Sequence, residues 1–246
     1  MTDSALMVIA HRGASSYAPE NTFSAFDLAV QMGAHHIELD VHLSSDGHVV
    51  VIHDDTVDRT SNGNGPVSSY TLAELKQLDV SSWFGTEFQG EQIPNLDDVL
   101  ARYKGKVHVH IEIKGESVEL SKRTVDVIRN RGMGEQVTIT SFQKERLDEV
   151  RRYAPELATA WLVAIVRSSV IEQARELGVN QLCPLANLVT AKLVERIHKE
   201  GLTVRAWGVK TEKLMQKVVH SGADGMTVNF PDKLISYMDK QNLKWT

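Results

Sequence analysis

Apolar positions along the chain follow two alternating rhythms. Residues 7–13 (MVIAHRG) read as a first strand, and residues 21–33 (NTFSAFDLAVQMG) as the helix after it. In that helix Phe23, Phe26, Ala29, Val30 and Gly33 fall close to the i, i+3, i+4, i+7 spacing of one buried helical face. Asn21 or Thr22 can cap its start and Gly33 its end. Residues 35–43 (HHIELDVHL) alternate with period two and predict a second strand.

The rhythm then breaks. A strand over 48–54 (HVVVIHD) leads into a turn-rich polar stretch, 59–69, and a short helix, 71–79. An irregular segment over 81–94 follows, and a helix over 95–105. A plain βα connection needs only a few residues outside its helix, so an inserted subdomain over about 44–105 is expected. Trp83, Phe84 and Phe88 are expected to form its small core, the alternative being a small apolar patch at the barrel mouth.

Regularity returns with strands at 107–115, 136–142, 157–164, 181–187, 203–209 and 225–229. Helices are predicted at 116–134, 143–155, 168–178, 190–201, 211–223 and 231–241. Eight strand–helix pairs in one 246-residue chain predict a single-domain (β/α)8 TIM barrel with the small insertion after its second strand. A doubly wound sheet is the second choice.

Composition narrows the class. Apolar content of 42% and charged content of 24% suit a soluble globular protein, and a net charge of −5 argues against a nucleic-acid partner. No apolar run reaches the roughly 20 residues of a membrane span, so stable membrane insertion is not expected. The single cysteine, Cys183, excludes an intrachain disulfide and a Cys-rich zinc site. With no signal-peptide pattern ahead of the first strand, a cytoplasmic location is expected. A homodimer stays open.

Barrel enzymes carry their chemistry at the C-terminal ends of the strands. There the sequence places His11 and Arg12, Glu38 and Asp40, Glu112 and Lys114, Ser141, Trp207 and Asn229, with His53 ending the extra strand. Glu38, Asp40 and Glu112 form an all-oxygen set that suits a hard divalent cation, Mg²⁺ or Ca²⁺. Arg12 and Lys114 add fixed positive charge for an anionic substrate such as a phosphate. His11 and His53 are suitable as acid and base, since imidazole titrates near neutral pH. His36, His42, His108 and His110 share the faces of the acidic residues and are expected to be core or bracing histidines rather than ligands.

The ordered motifs resemble the glycerophosphodiester phosphodiesterases, of the bacterial cytoplasmic type. They are HRG at 11–13, PENT at 19–22, ELD at 38–40, DGHVVVIHD at 46–54, EIK at 112–114, AWGV at 206–209 and GADGMTVNFP at 222–231. The resemblance spans nearly the whole chain. It implies metal-dependent hydrolysis of glycerophosphodiesters, such as glycerophosphocholine or glycerophosphoethanolamine, to sn-glycerol 3-phosphate and an alcohol. On it, Glu38, Asp40 and Glu112 hold the metal, His11 and His53 transfer protons, and Arg12 and Lys114 hold the phosphate. Glu20, Asn21, Ser141 and Trp207 belong to the pocket. The chain departs from the family pattern at Lys210 and Asn229, which are expected to alter the outer pocket wall and leave the metal and acid/base residues untouched. The alternatives are a lysophospholipase D-type barrel enzyme and a non-catalytic phosphodiester-binding protein.

Overall fold

A computed structural model describes residues 5–115 and 117–246. Eight parallel strands close into a barrel. They are β1 (Met7–His11), β2 (His36–Leu43), β4 (His108–Ile113), β5 (Val137–Ser141), β6 (Ala158–Val163), β7 (Gln181–Pro184), β8 (Thr203–Val209) and β9 (Gly225–Val228). Each neighbour in the sheet is hydrogen-bonded, and pairing of β1 with both β9 and β2 removes the edges. A short strand, β3 (Val49–Val51), runs antiparallel to the far end of β2. The chain is therefore a (β/α)8 TIM barrel, as its alternation predicts.

Period-two patterning divides each strand between two environments. On β4 the outward Val109, Ile111 and Ile113 are fully buried against helices, while His108, His110 and Glu112 face the barrel interior. On β2 Ile37, Leu39 and Val41 join the same outer core, and Glu38 and Asp40 point inward. Burying one such aliphatic side chain is worth about 1.5–3 kcal/mol, so the outer face fixes the register and the inner face is left for chemistry. In that register Asp40 lies directly beside Glu112, and His11 beside Glu38.

The surrounding helices are α1 (Phe23–Gln31), α3 (Leu96–Tyr103), α4 (Val118–Arg131), α5 (Lys144–Tyr153), α6 (Ser168–Leu177), α7 (Ala191–Lys199), α8 (Glu212–Val219) and α9 (Pro231–Lys240). Thr22, not Asn21, caps α1 by accepting from the Ala25 N–H. The first residue expected of the fourth helix, Glu116, lies outside the described residues. Between β2 and β4 a helical turn at Val67–Ser69 and the short α2 (Leu72–Leu75) enclose a separate aliphatic cluster of Val50, Ile52, Val57, Val67, Leu75, Val80 and Ile93. The expectation for the aromatics fails here. Trp83, Phe84 and Phe88 stack edge to face on one another instead of joining that cluster, and Trp83 is exposed. Aliphatic side chains fill the small core, and this leaves the larger rings outside. Among the described residues no helix is long and apolar enough to cross a membrane.

Candidate active site

The turn after β1 starts the site. Arg12 and Gly13 both have positive φ, 56° and 79°. A β-carbon on Gly13 would sit 2.5 Å from the Ala25 carbonyl carbon, so only glycine fits between the turn and α1. Arg12 occupies a conformation that costs a side-chain-bearing residue about 1–2 kcal/mol. Contacts around it offset that strain. Its N–H donates to Glu38 Oε2 at 3.0 Å, its Nη1 to Glu20 Oε1 at 2.9 Å, and its Nε lies 3.1 Å from Asp40 Oδ2.

Glu38, Asp40 and Glu112 come together as expected. One oxygen from each lies within 4.8 Å of the others, and all three residues are buried. Burial, then the neighbouring Asp40 and Glu112, push the Glu38 pKa well above the ordinary carboxylate value. Burial and Asp40 likewise push Glu112 up to about 7. Burial also opposes the Asp40 charge, but Arg12 and Lys114 outweigh it and hold its pKa below the usual value. Lys114 Nζ lies 2.7 Å from Glu112 Oε1 and 3.6 Å from Asp40 Oδ1. Asp40 Oδ1 has no hydrogen-bond partner among the described residues. An all-oxygen set this close, with one buried oxygen unpartnered and two members whose ionised forms burial disfavours, fits a hard divalent cation.

The two histidines meet in one cavity of about 230 Å³, which Glu38, Glu112 and Lys114 also line. Each ring is held at Nδ1. His11 Nδ1–H donates to Asn229 Oδ1 at 2.7 Å, and His53 Nδ1–H to Asp54 Oδ1 at 2.5 Å. In the neutral rings Nε2 is then the free lone pair. Burial, then Arg12, lower the His11 pKa to about 4, which keeps that ring neutral near pH 7. Asn229 corrects an expectation: it touches His11, one of the two candidate acid/base residues, because β9 lies beside β1 where the barrel closes. Lys210 lines the cavity, as expected of an outer-wall residue.

Arg59 links the parts. It donates to both oxygens of Glu20 at 2.8–2.9 Å and to Asp54 Oδ2 at 2.6 Å, so a chain of charge runs from Arg12 through Glu20, Arg59 and Asp54 to His53. Glu20 and Asn21 thus brace the site rather than line the cavity. Asn21, itself at φ 59°, donates from Nδ2 to Asp40 Oδ2 at 3.0 Å. Ser141 does not reach the pocket either. Its fully buried hydroxyl donates to the Ile113 carbonyl and accepts from the Gln143 N–H, so the backbone consumes it. The next residue, Phe142, lines the cavity with Leu162 and Trp207, and its ring stands edge to face with Trp207 at 4.9 Å.

Below the acids, the rings of His36, His108 and His110 pack within 5.0–5.5 Å of one another. Burial lowers the pKa of all three, His36 and His108 to about 4. His42 donates from Nε2 to the His53 carbonyl at 3.1 Å. Sequence reasoning missed Arg205, a fully buried cation that lines the cavity and whose Nε and Nη2 have no partner among the described residues. Its alternation with Trp207 on β8 was the available signal. Arg59 had no such signal, since its turn-rich stretch has no period.

Fold and site together define a TIM barrel whose mouth sets an acidic cluster and two oriented histidines beside two cations, an arrangement suited to a phosphoester. A sequence profile of the glycerophosphoryl diester phosphodiesterase family matches residues 11–233, and the chain belongs to that family. It is 40% identical to the YhdW protein of Bacillus subtilis strain 168, over 97% of this chain and 100% of that protein. It is 38% identical to a glycerophosphodiester phosphodiesterase of Caldanaerobacter subterraneus subsp. tengcongensis, over 95% and 98% of the two chains. A solved Oleispira antarctica phosphodiesterase in complex with the product sn-glycerol-3-phosphate superposes with a TM-score of 0.88 at 34% identity, covering 94% of this chain and 96% of that one.

Proposed function

We propose that the protein hydrolyses glycerophosphodiesters to sn-glycerol 3-phosphate and an alcohol, with a divalent cation held by Glu38, Asp40 and Glu112. The observation that carries this reading is the pair of histidines, each tied down at Nδ1, that share one cavity with the buried acids. Binding alone needs no such pair, so a non-catalytic role is disfavoured. The bound cation would neutralise the carboxylates and polarise a phosphoryl oxygen. Arg12 and Lys114 add positive charge where the phosphate docks.

In the first step the glycerol hydroxyl beside the phosphate attacks phosphorus. The neutral His11 accepts that proton at Nε2, and protonated His53 gives one to the leaving alcohol as its P–O bond breaks. The cyclic phosphodiester is then opened by water with the roles reversed: His53 takes the water proton and His11 returns one to the glycerol oxygen. Asp54 and Arg59 keep the His53 ring oriented through both steps, and the Phe142–Trp207 wall packs against the glycerol carbons.

The test is release of glycerol 3-phosphate from glycerophosphocholine and glycerophosphoethanolamine with Mg²⁺, with Ca²⁺ and with chelator. Metal-dependent release supports the reading, and no release under any cation refutes it. A second reading follows from exposed Phe142, Ile165 and Leu188 in the loops after β5, β6 and β7, which would suit an acyl chain. Turnover of lysolipids alone would select that lysophospholipase D-type activity.

A further inference from the structure

A second, larger cavity of about 800 Å³ opens beyond His53 and Lys114. Those two side chains line both cavities, so a phosphodiester with its phosphorus between them reaches one ester arm into each. The smaller cavity has the apolar Leu162–Trp207 wall. The larger one lies between the β2–β3 hairpin, the helical turn at Val67–Ser69 and the start of α5.

Polar side chains in this trough fall into two groups. Ser44 is spent on Asp46 and the His48 backbone, Asp54 on His53 and Arg59, and Lys114 on Glu112. The side chains of Ser45, Asp55, Ser68, Ser117 and Gln143 have no hydrogen-bond partner among the described residues, and all but Gln143 are exposed to solvent. Hydroxyls and a carboxamide both donate and accept, and the carboxylate accepts. A polyhydroxylated alcohol answers such a surface, because each of its hydroxyls also donates and accepts. A quaternary ammonium has no N–H to give; the exposed Asp55 carboxylate attracts its charge only weakly through solvent, and aromatic faces hold it best. Among the described lining residues there is no Phe, Tyr or Trp.

We infer that this trough is the leaving-alcohol subsite and that it selects polyhydroxylated alcohols, such as glycerol or a cyclic hexitol, over quaternary ammonium alcohols. The inference rests on the hydrolysis proposed above. Each substrate hydroxyl that bonds this surface adds selectivity over an analogue without it, modestly for each, because water takes the place of a missing hydroxyl on a solvated surface.

The experiment compares kcat/KM for glycerophosphoglycerol, glycerophosphoinositol and glycerophosphocholine with saturating divalent cation. The polyol esters are expected to lead the choline ester by about tenfold. The double variant Ser68→Ala, Gln143→Ala is expected to cut that ratio about threefold or more. Because the ratio is taken within each protein, a general loss of folding or turnover cancels. A choline ester cleaved as well as the polyol esters, or a ratio the double variant leaves unchanged, overturns the subsite while leaving the hydrolase reading intact. No glycerol 3-phosphate from any of the three esters overturns both.

Discussion

Protons and the proposed divalent cation would compete for the same carboxylates, and that competition predicts a measurable pH dependence. Burial and Asp40 raise the Glu112 pKa from 4.5 to about 7, and Glu38 is raised as well. A cation binding there must displace the Glu112 proton. For one group at about 7, the ionised fraction rises about 30-fold between about pH 5.5 and about pH 8, and apparent metal affinity rises with it. Glu38 steepens the slope. The same shift has a stability side. In the folded, metal-free protein Glu112 keeps a proton that the unfolded chain releases, so stability falls as pH climbs from about 4.5 through about 7, by up to about 3 kcal/mol. Binding of the proposed cation would offset that loss. Isothermal titration with Mg²⁺ or Ca²⁺ in buffers of different ionisation enthalpy should therefore show tighter binding at the higher pH and about one or more protons released near pH 6. The gain in Tm on adding metal should be larger at about pH 8 than at about pH 5.5. Glu112→Gln should flatten the slope. A dissociation constant that changes less than about twofold over this range would refute the reasoning.

Other residues give separate tests. His11→Ala should lower turnover by at least about 100-fold while circular dichroism stays unchanged; a variant with full activity rejects its proton-transfer role. Gly13→Ala places a β-carbon 2.5 Å from the Ala25 backbone and should cost about 2–3 kcal/mol in urea unfolding. An unchanged midpoint would show that the turn yields freely. Arg59→Ala removes the link between Glu20 and Asp54 from a side chain 46% exposed, so kcat should fall about tenfold with little change in Tm. Equal losses of both would mark Arg59 as a stability residue. Burial, then Arg205, depress the His108 pKa to about 4. In Arg205→Met its NMR titration midpoint should rise by roughly one pH unit, and an unmoved midpoint would show that burial alone sets it.

What the sequence makes legible follows from the range of each interaction. On β2 the alternation of Ile37, Leu39 and Val41 with Glu38 and Asp40 is local, and it separates core from site before any neighbour is known. The same period on β4 predicts that Glu112 shares the interior, and parallel pairing brings it beside Asp40. Periodicity reports the face a side chain occupies; it says nothing about which polar partner there takes its hydrogen bonds. That is why Ser141 could be placed at a strand end and still be lost to the Ile113 carbonyl, and why Asn21 could be taken for a cap while Thr22 did the capping. It is also why the Asn229–His11 bond escaped notice. The two residues are 218 apart in sequence and meet only where the barrel closes.

Arg205 is the sharpest case. A fully buried cation with unpaired donors violates the ordinary rule that charges are buried only with a partner. Nothing on its own strand compensates it, so a strand-by-strand reading offers no reason to bury it. The compensation comes across the barrel, where its charge favours the ionised forms of Glu38 and Glu112 on β2 and β4. The three acids therefore have three positive side chains around them, Arg12, Lys114 and Arg205. With every carboxylate ionised those charges cancel, and an added divalent cation leaves the site with two positive charges. That matches the two negative charges a phosphodiester reaches when a hydroxylate adds to phosphorus. In the proposed reaction Arg205 would thus belong to the charge balance of the centre, and the position is intelligible only once β8 is known to face β4 across the closed barrel.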